Sequence, residues 1–330
     1  MKRIGNPHAK MNYIHPITKR PLHPSADGVH LLDSAGSIVF TKLEGCFDFV
    51  CDAVSRDERA FYDKEHEVAW SGTASLDEID LPRLWREGLG GGDMSLLESL
   101  GDLRGKRILL LGNGTSVHEY HLISLGATVV YTDLSIIAAV SARKLYLVSK
   151  IAKENPERCE FHAVNAYHLP FAEDSFDVVY GVAFIHHVND PVALFAEIRR
   201  VLKPGGICRF ADTAVSPLWQ TAKRTVLHPL QVWSHRKHGI SPEDVMATEK
   251  GGFTQGEMEG IRMHLGFGRL YFRRTGFFDY LLWRAHCKFS AEWMLALRPI
   301  ALTLDRWLAK HTRFIQKQGI TLVVGYDLAN

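Results

Sequence analysis

Residues 108–133 constrain this chain more than any other stretch. Four aliphatic residues, Ile108, Leu109, Leu110 and Leu111, suit a short strand buried on both faces. Gly112, Asn113 and Gly114 then turn the chain sharply. A helical stretch over residues 117–125 follows and Gly126 ends it. A second apolar strand begins at Thr128 and runs into Asp133. Strand, glycine turn, helix, strand and terminal acid make a nucleotide-binding βαβ unit. Glycines let the backbone approach a ligand closely, and an acid about twenty residues on can accept hydrogen bonds from two ribose hydroxyls. The dinucleotide fingerprint is incomplete, because its third glycine position holds Val117. Such a loop fits a pyrophosphate poorly and an adenosine with a short charged tail better.

Further motifs follow in order. Asn165 and Ala166 precede a turn, and Ser175-Phe176-Asp177 feeds the apolar run Val178-Val179-Tyr180-Gly181-Val182. His186 and His187 come just after that run. Leu194, Phe195, Ile198, Val201 and Leu202 keep helical spacing. Lys203-Pro204-Gly205-Gly206 stops that helix, and Ile207 starts the next strand, which ends near Asp212. Over residues 105–213 this order resembles class I S-adenosylmethionine-dependent methyltransferases, in the subfamily that includes ubiquinone and menaquinone methyltransferase-like proteins. The resemblance is specific for fold and cofactor and nearly silent on substrate.

The resemblance implies an α/β fold with a Rossmann-like, seven-stranded sheet and S-adenosylmethionine as cofactor. It implies that Gly112, Asn113 and Gly114 approach the methionine portion. Asp133 would bind the ribose, with Leu134 beside it. Asn165 stands where the family usually has Asp and would accept from the adenine amino group, with Ala166 flanking the ring. Gly181 and Val182 would line the pocket beneath the sulfonium. Two positions depart from the pattern: Leu110 replaces an acid, and Ser116 replaces the third glycine. Both alter the methionine end of the site. They motivate an alternative reading, a catalytically inactive cofactor-binding regulatory protein.

The chain has 330 residues, more than one such core needs, so appended elements are expected. With 46% hydrophobic and 23% charged residues it is of ordinary globular composition. A formal net charge of +2 gives no case for nucleic acid as partner. Its five cysteines are scattered without a Cys-x-x-Cys pair, which supports neither a disulfide framework nor a zinc cluster. A reducing cytoplasm fits that usage. No signal-type apolar core and no apolar run of about 18 residues occurs.

Residues 1–50 read as a small β-rich module of short strands between Gly turns. It is similar to the zinc-ribbon-like modules found before some methyltransferase domains, but His15-Pro16 stands where those have Cys-Pro. His15, His23 and His30 are read as surface histidines of a metal-free remnant, so no metal is expected. Without one, the unit must be held by Ile14, Leu22, Val29, Leu31, Val39 and Phe40 and by docking on the main domain. Residues 51–104 read as a helical lid or linker, broken at the glycines around position 90. Phe61-Tyr62-Asp63 resembles the aromatic-acid element that closes over the cofactor in many class I proteins, and Tyr62 is a candidate contact to it. Packing at a helix end is the other reading of Tyr62.

The resemblance implies that residues 105–330 form the methyltransferase domain, with insertions at about 216–250 and 280–318. The first carries Trp219, Trp233 and the basic cluster at 235–238 and is expected to cover the substrate pocket. Thr254 and Glu257 have the spacing of a capping box. The second insertion is helical and rich in Trp and Leu. It suits a dimer interface, a lipid-facing surface or a pocket wall, with core packing as the default. Arg and Lys interrupt it, so it is no transmembrane span. At the carboxyl ends of the fourth and fifth strands, His186, His187 and Asp212 are the candidate catalytic residues. The expected reaction is methyl transfer to a small organic acceptor, anionic or apolar, with RNA as the alternative acceptor and a homodimer as a candidate assembly. A basic stripe beside the pocket would point to RNA, and a filled or collapsed cofactor site to the regulatory reading.

Overall fold

The computed structural model describes residues 11–71, 91–114, 116–222, 253–289 and 293–329. Its organising feature is a run of strands buried on both faces. Strands β6 (Arg107–Leu111), β7 (Thr128–Asp133), β8 (Cys159–Ala163), β9 (Phe176–Val182) and β10 (Leu202–Thr213) are parallel, in the order β8-β7-β6-β9-β10. Strand β12 (Thr321–Asp327) joins antiparallel to β10, and β11 (Arg269–Gly276) closes that edge. Alternation splits the apolar side chains between two cores. Leu109, Leu111, Val130, Val179 and Phe210 point to one side; Ile108, Leu110, Val129, Tyr131, Val178 and Tyr180 point to the other.

The described helices are α1 (Ala53–Ser71), α2 (Gly91–Leu100), α3 (His118–Ser124), α4 (Ile136–Val148), α5 (Lys150–Glu154), α6 (Pro191–Val201), α7 (Pro217–Ala222), α8 (Gln255–Leu265), α9 (Phe278–Phe289), α10 (Trp293–His311) and α11 (Phe314–Gln318). Several start where side chains satisfy their first N–H groups. Ser135 accepts from the Ala138 N–H at the start of α4, and Asp190 from the Ala193 N–H at the start of α6, where Pro191 needs no donor partner. The Thr254–Glu257 capping box is present at α8, and Gly266 ends that helix in the left-handed region.

The sheet is longer than the seven strands expected. Strands β1 (Tyr13–Ile14), β2 (Pro21–Pro24), β3 (His30–Leu32), β4 (Ile38–Leu43) and β5 (Cys46–Asp48) form a meander, and β5 pairs parallel with β8, giving a twelve-stranded order. The meander's Tyr13, Leu22 and Leu31 are buried in the same cluster as Leu109 and Phe171. Val29, by contrast, is exposed. A polar link ties the unit down: the Tyr13 hydroxyl donates to Glu160 and lies 3.0 Å from His162 Nε2, while the Phe47 N–H donates to His162 Nδ1. Burial opposes ionisation of Glu160, but the hydrogen bonds from His162 and Tyr13 win and bring its carboxyl down to about 2.

Other boundaries shifted for local reasons. The Lys203–Gly206 segment stays extended inside β10, with its regular pairing to β9 resuming at Ile207. Gly91 and Gly92 open α2 rather than forming a break, and residues 88–90 lie outside the described residues.

Candidate functional site

The parallel strands bring the βαβ turn and the acid together at their carboxyl ends. β6 and β7 pair in register up to Leu111 and Thr132, so Gly112 and Asp133 leave adjacent strands side by side. Gly112 and Gly114 have φ of 58° and 51°, a region that disfavours side chains. The Gly114 N–H donates to Asp133 Oδ2 at 2.9 Å, and the Ser135 N–H donates to Oδ1 at 2.9 Å. Tyr131 Oη donates to the Gly114 carbonyl, fixing the turn from below. Burial pushes the Asp133 carboxyl up, against those N–H donors and His66, which pull it down.

Asn113 does not face outward. Its amide donates to the Ser116 carbonyl and to Glu119 Oε2 at 2.9 Å, so it builds the loop. Glu119 is itself buried, and burial raises its carboxyl to about 8. Asn165 is buried; its Oδ1 accepts from the Tyr167 N–H and its amide donates to Asp52. Leu134 and Ala166 are half-buried against the two cores. Gly181 sits opposite Phe210 in the sheet, and a Cβ there would meet the Phe210 ring at 2.9 Å and the Leu111 carbonyl at 3.1 Å. Val182, at the end of β9, is half-buried.

His186 and Asp212, from the ends of β9 and β10, come together. His186 Nδ1 lies 2.9 Å from Asp212 Oδ1, and the His186 N–H donates to Oδ2. The Thr213 N–H completes the set on a fully buried carboxylate. The rings of His186 and His187 are 3.9 Å apart, and Tyr62 of α1 meets His187 edge-on at 6.3 Å.

Helix α1, from the segment read as a lid or linker, lies over this region and adds contacts that the sequence did not signal. Asp63 accepts from the Ser135 hydroxyl, and Arg59 bridges Asp63 and Asp48. His66 Nε2 lies 3.9 Å from Asp133 Oδ1, and a Cβ on Gly114 would stand 3.2 Å from the His66 ring. A Cβ on Gly112 would collide with the Phe184 ring. Phe184 follows Ala183, which is held at φ 50°. His66 is one helical turn beyond Tyr62, the only spacing clue to its position. Asp52 beside Asn165 had no clue at all.

Trp219 is not placed at the histidines. It packs edge-on to Tyr280 beside the cluster of Phe277, Ile315 and Ile320. Trp233 and the basic cluster at 235–238 lie outside the described residues. His15 Nδ1 accepts from the Ile17 and Thr18 N–H groups, and His30 pairs with Thr41. Among the described residues no three His, Cys, Asp or Glu side chains gather as metal ligands would, and no helix is long and apolar enough to cross a membrane.

The fold and site define an α/β protein with a glycine turn and an acid at the carboxyl ends of its parallel strands, and comparison with known proteins gives that class a chemistry. Residues 109–210 match the family model for a methyltransferase domain. The chain is 32% identical over 155 residues to a demethylmenaquinone methyltransferase of Clavibacter sepedonicus, covering 46% of this chain and 57% of that protein. It is 29% identical over 180 residues to the methyltransferase GfsG of Streptomyces halstedii, covering 50% of this chain and 60% of that one. The chain thus spans little more than half the length of these relatives. Among solved structures, a phosphoethanolamine N-methyltransferase 2 of Haemonchus contortus aligns with a TM-score of 0.47 at 20% identity, over 72% of this chain and 52% of that one.

Proposed function

We propose that this chain transfers a methyl group from S-adenosylmethionine to a small organic acceptor. One observation carries the reading: Gly112, Gly114 and Asp133 stand together at adjacent strand ends, inside the stretch that matches a methyltransferase domain. The residues fit the cofactor. What covers the two glycines is side chain, Phe184 and His66, while the backbone cradle beneath keeps its positive φ. Asp133 retains lone pairs for two ribose hydroxyls, and Asn165 with Asp52 supplies acceptor oxygens for an adenine amino group. Leu134 and Ala166 flank the base. Gly112, Asn113 and Gly114 form the loop at the methionine end, with Gly181 and Val182 below.

Bound there, S-adenosylmethionine supplies a methyl group already activated by its sulfonium. The protein's part is alignment and exclusion of water. Asp212 holds His186 through Nδ1, which leaves Nε2 as the basic nitrogen able to take a proton from an acceptor hydroxyl or amine. His187 and Tyr62 form the wall between that base and α1, which acts as the lid. The names of the demethylmenaquinone methyltransferase relatives are in keeping with a small apolar acceptor. The described cysteines carry no disulfide, which suits a reducing cytoplasm.

The test is metabolite profiling with isotopically labelled methyl donor, with and without the protein, beside calorimetry of cofactor binding. Label in a small molecule supports the reading. Label in RNA, or cofactor binding with no labelled product, replaces it by the RNA or the regulatory reading.

A further inference from the structure

Helix α10 carries two different faces. One is buried: Arg298 pairs with Asp279, and Asp305 accepts the N–H groups of Phe277, Phe278 and Asp279. These contacts lock α9 and α10 into a rigid hairpin. The second face has no such partner among the described residues. Trp293, Leu297, Ile300, Leu304 and Trp307 recur at spacings of four and three, so they form one continuous stripe. Trp293 is 63% exposed, Ile300 66% and Trp307 54%. The middle of the stripe lines an open, shallow concavity. Soluble proteins rarely leave so ordered an apolar strip in water.

Among the described residues of α9 to α11 every exposed charge is a cation, and the exposed acid Glu98 of α2 lies beside Arg306. Arg306, Lys310, Arg313 and Lys317 are all exposed. The acids of the described hairpin residues, Asp279 and Asp305, are buried and engaged. Arg306 has only a loose contact with Glu98, at 3.8 Å. An apolar stripe ending in tryptophans and flanked by cations is the pattern of a helix lying in a membrane interface, and anionic headgroups complement it. A second copy packed parallel would bring the cations at the carboxyl end of the stripe together. Its stripe would also cover only roughly 600 Å² a side, below the ~800 Å² per partner of a stable interface.

We propose that the exposed face of α10 docks the protein on an anionic lipid surface. The helix lies on that surface and does not span it. This inference holds whichever acceptor the methyl group goes to.

The test is co-sedimentation of the full chain with phosphatidylcholine vesicles and with vesicles in which about a third of the lipid is phosphatidylglycerol. The protein is expected to pellet with the anionic vesicles and to stay in solution with the neutral ones. Ile300→Glu and Trp307→Ser, both at exposed sites and each checked by its melting curve, should each lower the partition coefficient roughly ten-fold or more. The pair Arg306→Glu and Lys310→Glu should do the same and leave the stripe intact. Absence of binding to anionic vesicles overturns the proposal, as does binding that ignores the stripe variants. A dimer by analytical ultracentrifugation that Ile300→Glu dissolves, with no vesicle binding, assigns the face to a second copy instead.

Discussion

His66 of α1 stands 3.9 Å from Asp133 of β7, over the same Gly114 whose N–H that aspartate accepts. Helix α1, the glycine turn and Asp133 are therefore one packed unit, and on the proposed reading a cofactor reaching Asp133 must displace an imidazole. His66 Nδ1 is buried without a hydrogen-bond partner, so holding the ring there costs free energy. His66→Ala should therefore speed S-adenosylmethionine association and tighten binding by roughly two- to ten-fold. Stopped-flow fluorescence and calorimetry measure both. A loss of affinity would instead make His66 a cofactor ligand.

Asp133→Ala should weaken cofactor binding by about 1–3 kcal/mol for each of two charge-assisted hydrogen bonds. The same carboxylate also accepts the Gly114 and Ser135 N–H groups, so the variant should melt earlier. Asp133→Asn keeps one oxygen, able to accept from either the Gly114 or the Ser135 N–H, and loses the charge, so it should melt between parent and Asp133→Ala. Calorimetry showing parent affinity in both variants would put the adenosine elsewhere.

Removing the base should spare the cofactor. His186→Ala and Asp212→Asn should each lower turnover of the true acceptor roughly ten-fold or more, with cofactor affinity little changed. His187→Ala should act on the acceptor KM as well, because its ring lies between His186 and Tyr62. Parent rates in all three would move the acceptor away from the ends of β9 and β10.

Glu119 sets a pH dependence of stability. Burial raises its carboxyl from 4.5 to about 8 in the folded protein, so the folded state binds the extra proton between those values. Stability from this group is therefore complete below about pH 4.5 and falls as pH rises towards 8. His118, lowered by burial to about 4, acts the other way and removes stability as pH falls from 6.5 towards 4. Glu119→Gln keeps an acceptor for Asn113 and should flatten the alkaline fall, gaining at most about 4 kcal/mol at pH 8. Melting curves of parent and variant at pH 5 and 8 decide it; parallel shifts would mean that Glu119 is not the titrating group.

Elemental analysis after chelator-free purification should find far less than one zinc per chain. Structural zinc needs about four ligands and strongly favours cysteine. In the N-terminal meander His15 and His30 are already engaged by the Ile17 and Thr18 N–H groups and by Thr41. A stoichiometric metal would show that the unit rearranges around it and would raise the RNA reading.

The βαβ unit was legible because its signals are local. Consecutive aliphatics demand burial on both faces, glycines mark the turn, and Asp133 ends the second strand. The Thr254–Glu257 cap and the helix at residues 191–201 were legible for the same reason. The short strands of residues 1–50 were legible too, but not their joining the main sheet: pairing of β5 with β8 joins Phe47 to His162 across more than a hundred residues, and no spacing in the chain announces it.

The sequence by itself determined which segments become strands and helices and which residues end them, since those depend on neighbours along the chain. Only the tertiary structure decided what faces what. It put His186 on Asp212, closed His66 and Phe184 over the glycine turn, moved Trp219 to the hairpin of α9 and α10, and left the Trp293–Trp307 stripe in solvent. The physical reason is that an apolar or titratable side chain has the same local signature whether it ends in a core, at a ligand or at a surface. The choice is made by packing between elements distant in the chain.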